Sequence, residues 1–159
     1  MGTKAGAKLY VAEELQDDTD LNQAGFEALT WVLVKDVGTF PEYGRNEATA
    51  TYDAFSGIVK GKGSNNAGDG DFIMAYDPTD AGQVQMRSRG AQRRNVCFKI
   101  EHADATGTAN GDKTATMDYL RGVLSGPRSP AGGTSDFERE AYSFGNNQHL
   151  RVLPATISI

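Results

Sequence analysis

The sequence predicts a mostly β protein, an antiparallel β-barrel or sandwich of about seven to eight strands with one flanking α-helix near residues 79–93. Three observations carry that prediction. Nineteen glycines and five prolines cut the 159 residues into short pieces. Several pieces alternate apolar and polar side chains with the two-residue period of a half-buried strand. Only one proline-free stretch has both a capping residue and the length for a helix.

The elements follow in order. Lys8 to Ala12 is a short first strand, and Trp31 to Lys35, rich in β-branched and aromatic residues, reads as a buried one. Glu47 to Phe55 and Phe72 to Tyr76 read likewise. Asp77-Pro78-Thr79-Asp80 supplies a cap, and Ala81 to Arg93 then forms the helix, with a thin stripe of Ala81, Val84, Met86 and Ala91. Gly82 and Gly90 each cost about 1 kcal/mol relative to alanine, so this helix depends on docking against the sheet. Asn95 to Glu101 alternates clearly, with Val96, Phe98 and Ile100 on one face and Lys99 and Glu101 on the other. Thr114 to Leu124 is a further strand, and Tyr142 to Phe144 meets Gln148 to Leu153 across a hairpin turn at Gly145-Asn146-Asn147. Four long Gly/Pro/Asn/Ser-rich loops are expected at 39–46, 61–70, 104–112 and 126–135. Loops of that size in a small domain tend to be functional or disordered, and contact between subunits is one such function.

Length fits a single domain over 1–159, large enough to need no disulfide or metal staple. No apolar run reaches the ~20 residues of a membrane span, and the start lacks a signal peptide's apolar stretch. Cys97 is the only cysteine, which excludes an internal disulfide or a multi-cysteine zinc site. A net charge of −5 argues against a duplex-DNA reader.

Motifs of catalysis are wanting. Gly61-Lys62-Gly63-Ser64 lacks the glycine that a phosphate-binding loop places before it, and no G-x-S-x-G elbow occurs. His102 and His149 lie far apart on predicted strands and read as surface or packed histidines. Asn65 to Asp71 is oxygen-rich and glycine-bent, but no glutamate closes a calcium loop, so a polar turn is the better reading. Cys97 falls on the outer face beside charges, with no general base to activate it. No catalytic residue, metal ligand or cofactor is assigned, and the chain is expected not to be an enzyme.

Charge is unevenly spread. Residues 9–34 hold six acids (Glu13, Glu14, Asp17, Asp18, Asp20, Glu27) and no base, whereas 81–100 hold Arg87, Arg89, Arg93, Arg94 and Lys99 and no acid. These are either two solvated faces or complementary patches that meet between copies of the chain. On the second reading Glu13, Glu14, Asp17, Asp18, Asp20, Arg87, Arg89, Arg93 and Arg94 are candidate inter-subunit contacts.

The stretch Asp69-Gly70-Asp71-Phe72-Ile73-Met74-Ala75-Tyr76-Asp77-Pro78-Thr79-Asp80-Ala81-Gly82-Gln83 resembles a segment of the tail tube proteins of long-tailed, siphovirus-like bacteriophages. In that family a glycine-bearing turn leads into a strand, an aromatic-Asp-Pro step and the helix. A Gly-Thr-Lys start and a tryptophan-led second strand agree in order. Contractile-phage inner tubes and type VI secretion tubes are similar in fold. The resemblance implies a non-enzymatic virion protein with a short N-terminal arm that folds in the host cytoplasm. It would form hexameric rings that stack head to tail into a tail tube. Implied partners are further copies, a tape-measure protein, a tail terminator and a distal tail protein. Genomic DNA would pass through unbound, and no membrane is involved. The chain is expected to lack the C-terminal immunoglobulin-like domain of some relatives. A bore through which DNA slides should be acidic and small-polar, since lysine or arginine would grip phosphates. Thr116, Asp118, Glu138 and Glu140, at alternating strand positions, are the candidate lumen-facing residues. A head–tail connector or tail terminator, which forms one ring and stops, is the alternative. A small β-barrel binding module or enzyme is a further one.

Overall fold

The computed structural model of the chain describes residues 5–44 and 46–159, so the first four residues of the expected arm lie outside it. Nine strands and two helices follow one another: β1 (Lys8–Gln16), α1 (Gln23–Glu27), β2 (Trp31–Val34), β3 (Val37–Thr39), β4 (Asn46–Ala54), β5 (Gly57–Asn66), β6 (Asp69–Ala75), α2 (Ala81–Gly90), β7 (Asn95–Glu101), β8 (Met117–Arg128) and β9 (Arg139–Val152). Seven strands form one antiparallel sheet in the order β2-β1-β7-β8-β9-β6-β3, and β4 and β5 form a separate two-stranded ribbon.

The chain itself dictates the sheet's curvature. β2 and β3 stand at opposite ends of the strand order, yet only Lys35 and Asp36 separate them. Three residue steps span at most about 11 Å, so the sheet must curl until its ends nearly meet. Asp36 makes the bend, with φ at +61°. Above it the chain pairs with β1 (Leu9 opposite Val34); below it the chain pairs with β6 (Val37 opposite Met74). The barrel is therefore left unclosed, and α2 fills the gap beside β2. Asp80 caps α2 by accepting from Gln83 N and also accepts from Lys35 N. The Gln83 side chain donates to the carbonyls of Lys35 and Ala75, joining the two sheet ends that lack a ladder.

The buried face of α2 differs from the expected stripe. Gly82, Gln83 and Met86 are buried, whereas Val84 is half exposed and Ala81 and Ala91 face solvent. The reason is close approach: a methyl group on Gly82 would overlap the Leu33 carbonyl and Val34 Cα. The helix-propensity cost of Gly82 is thus exchanged for contact with β2.

Alternation sorts the sheet into two packed faces. Inside the curl lie Leu9, Val11, Phe72, Phe98, Ile100, Leu120 and Phe144, with the rings of Phe72, Phe98 and Phe144 4.5–5.5 Å apart. Outside, Ala12, Cys97 and Tyr119 are covered by Phe26 of α1, whose ring stacks 5.1 Å from Tyr119. This short helix, capped by Asn22 Oδ1 on Gly25 N, was not expected, because five residues are too few to show a period. It also corrects the place of Cys97, which is fully buried rather than surface-lying. Three loop readings change as well: residues 126–128 of the expected 126–135 loop belong to β8. Gly145-Asn146-Asn147 is no turn but the middle of the 14-residue β9, which pairs with β6 along its first half and β8 along nearly all its length. Residues 61–66 belong to β5.

Candidate functional site

The ribbon of β4 and β5 is the feature most in need of a partner. A two-residue turn at Phe55-Ser56 joins the strands, with Ala54 opposite Gly57 and φ of Gly57 at +136°. The nine residues of β4 give it a reach of about 30 Å. The strands contact each other extensively and the curled sheet only sparsely. Register sets Ala50, Tyr52 and Ala54 on one face with Val59, Gly57 and Gly61. The other face carries Thr49, Thr51 and Asp53 with Ile58, Lys60 and Lys62. Tyr52 is 72% exposed, Ile58 65% and Val59 56%, and Phe55 is fully exposed at the tip. An isolated two-stranded ribbon is marginally stable in water, and burying each such side chain is worth about 1.5–3 kcal/mol.

The root of the ribbon is fastened to the sheet. On the incoming side, residues 40–44 pack against 67–70: Gly44 N donates to Ala67 O at 2.9 Å, and a Cβ on Gly70 would lie 2.9 Å from Pro41. On the outgoing side, Asn146 of β9 donates from its backbone to Gly68 O and from Nδ2 to Ala67 O.

Beneath this root sits Asp118, a fully buried carboxylate in β8. Tyr43 Oη donates to it at 2.9 Å, His149 Nε2 lies at 2.7 Å, His102 Nε2 at 2.5 Å, and Arg151 reaches both oxygens at 2.8 and 3.2 Å. Burial pushes this carboxyl up, but the bonds from His149, Arg151, His102 and Tyr43 outweigh it and hold it far below the usual carboxylate range. Burial, with the nearby Asp118 charge, pushes the Tyr43 phenol up. The oxygens are already spent on these donors, one of them a cation, and no group of three His, Cys, Asp or Glu among the described residues is arranged to hold a metal. The bonds join the loop before β4, the end of β7 and β9 to β8.

No protein-family model and no curated protein matches the sequence. Among solved structures, the sheath/tube terminator of an extracellular contractile injection system, named PVC and captured in its extended state, superposes with a TM-score of 0.61. The match covers 96% of this chain and 97% of the other at 9% identity. The fold is shared; the sequence is not.

The residues singled out from sequence fall into three groups within this fold. Several of the acids and arginines meet inside one chain: Arg94 pairs with Asp17 at 3.1 Å, Arg89 donates to the Glu13 carbonyl, and Asp18 accepts from Asn95. Asp20 pairs with Arg121, a guanidinium only 2% exposed that sequence reading passed over. Glu14 instead accepts from Thr30 N, which outweighs burial and holds its carboxyl low. Arg93 stays exposed. A second group is corrected as lumen-facing. Asp118 is fully enclosed, and Glu140 is only 8% exposed, held by Arg87 at 3.0 Å and by Tyr142 Oη at 3.1 Å. Both carboxylates point to the interior, because the register of β8 and β9 turns those alternate positions inward. The third group, Thr116 and Glu138, keeps access to solvent, although Thr116 also bonds Asp104. The reading missed the ribbon residues and the histidine pair. The Glu47 to Phe55 run that ends at Ser56-Gly57 was the available signal for the first; nothing local announced the second.

Cys97 is inert here. Burial pushes its thiol up to about 12, against a smaller opposing effect of Arg121.

Proposed function

We propose that the chain is a non-enzymatic, ring-forming structural subunit of a phage-tail-like assembly, in which each copy's β4–β5 ribbon lies against the next copy. The projecting ribbon, with its uncovered Ala50, Tyr52, Ala54 and Val59 face, carries this reading. Small residues at Gly57 and Gly61 let a neighbouring backbone come close. The tube-like segment at 69–83 and the fold shared with a tube terminator both support it. In the first form of the proposal, hexameric rings stack into a tail tube that conducts DNA during ejection, with a tape-measure protein inside and terminator and distal tail proteins at its ends. Head-to-tail stacking is a heterologous contact that does not close, which yields a filament. In the second form, favoured by the near-complete coverage of the terminator, the chain makes one ring and stops.

Negative-stain microscopy of concentrated protein tests both forms. Stacked tubes establish the first and single rings the second. A chain that stays monomeric at every concentration and adds to no tail would overturn the proposal.

A further inference from the structure

Asp118 receives more hydrogen bonds than its burial requires. A carboxylate offers about four lone-pair sites. Arg151 supplies two bonds and His102 and His149 one each, which meets that number. Tyr43 adds a fifth. That bond comes from Tyr43, which stands three residues before β4. Its ring packs against the inner core and lies 5.1 Å from the His149 ring, tilted by 48°.

We propose that Asp118 and Tyr43 are positioning residues that mount the β4–β5 ribbon, setting the angle at which it leaves the curled sheet. The four donors to Asp118 come from four places in the chain: the loop before β4, the end of β7, and two positions in β9. The carboxylate thus joins the incoming leg of the ribbon to the rigid part of the sheet. The outgoing leg is tied independently by Asn146 to Ala67 and Gly68. With both legs tied to neighbouring strands β8 and β9, the ribbon keeps a fixed pose although its own surface touches little of the sheet. The inference deepens the assembly role proposed above and rests on it for the purpose of the mount, while the mount itself is measurable in the unassembled chain.

The test places nitroxide labels at Asp53→Cys near the ribbon tip and Gln92→Cys after α2, both exposed positions. Cys97 is fully buried and stays unlabelled. Doubly labelled chains, diluted into unlabelled protein, are read by pulsed dipolar spectroscopy. The parent should give one narrow distance distribution. Tyr43→Phe keeps the ring and leaves Asp118 four hydrogen bonds from three residues, so the distribution should roughly double in width while the thermal midpoint falls by no more than about 4 °C. Asp118→Asn should broaden it at least as much. If Asp118→Asn does not fold, Tyr43→Phe alone decides. An unchanged width in Tyr43→Phe overturns the mount, as does a parent distribution that is already broad. A parent that stays monomeric at every concentration and adds to no tail would instead overturn the assembly role and leave these distances standing.

Discussion

Asp118 ties four segments together through one side chain, and its ionisation should be visible in the pH dependence of folding. Its carboxyl is held below the unfolded-state value of about 3.9. The stability such a group contributes is complete above that value and is lost as pH falls through the folded one. Urea unfolding followed from pH 7 to pH 2 should therefore show the parent losing stability between about pH 5 and 2 more steeply than Asp118→Asn, whose amide does not titrate there. Parallel profiles for the two proteins would show that the four donors do not hold the carboxylate in solution. At this scale the sequence was least informative. His102 and His149 read as unrelated histidines, and their meeting on Asp118 depends on contacts across 16 and 31 residues that no local period encodes.

The ribbon is the element whose sequence and environment disagree. Alternation builds it as a two-sided strand pair, yet no other element among the described residues covers its apolar face broadly. Replacing Tyr52 and Val59 together by serine removes the large side chains of that face without touching the root. Stability of the unassembled chain should stay within about 0.5 kcal/mol of the parent, since exposed positions contribute little. Ring formation, read by sedimentation velocity, should be lost. Normal rings from the double variant would move the interface elsewhere. The sequence showed β4 plainly but not β5, because Gly57, Gly61 and Gly63 interrupt the apolar run that marks a strand. What makes β5 a strand is its pairing with β4, from Thr49 opposite Lys62 to Ala54 opposite Gly57.

Across the whole molecule the two charged regions remain candidates for contact between copies. The Arg94–Asp17 pair is exposed on both sides, so within one chain it contributes little. Reversing Arg93 and Arg94 to glutamate should leave the fold intact while slowing assembly, and the defect should shrink as salt rises, because exposed charges act mainly on encounter rate. Light scattering at low and high salt measures this. Assembly at the parent rate in low salt would leave these arginines as a solvated face. By itself, the sequence determined the mostly β class, the shared face of Val96, Phe98 and Ile100, the Asp80 cap that starts α2 and the separation of acids from bases, since each follows from spacing along a few residues. Only the tertiary structure decided that Asp118 and Glu140 turn inward, that Cys97 lies under α1, and that the strand order ends on two strands joined by Lys35 and Asp36. A strand's period says which residues share a face. Which face is buried is set by register and by what packs on it, and those are properties of segments that meet from far apart in the chain.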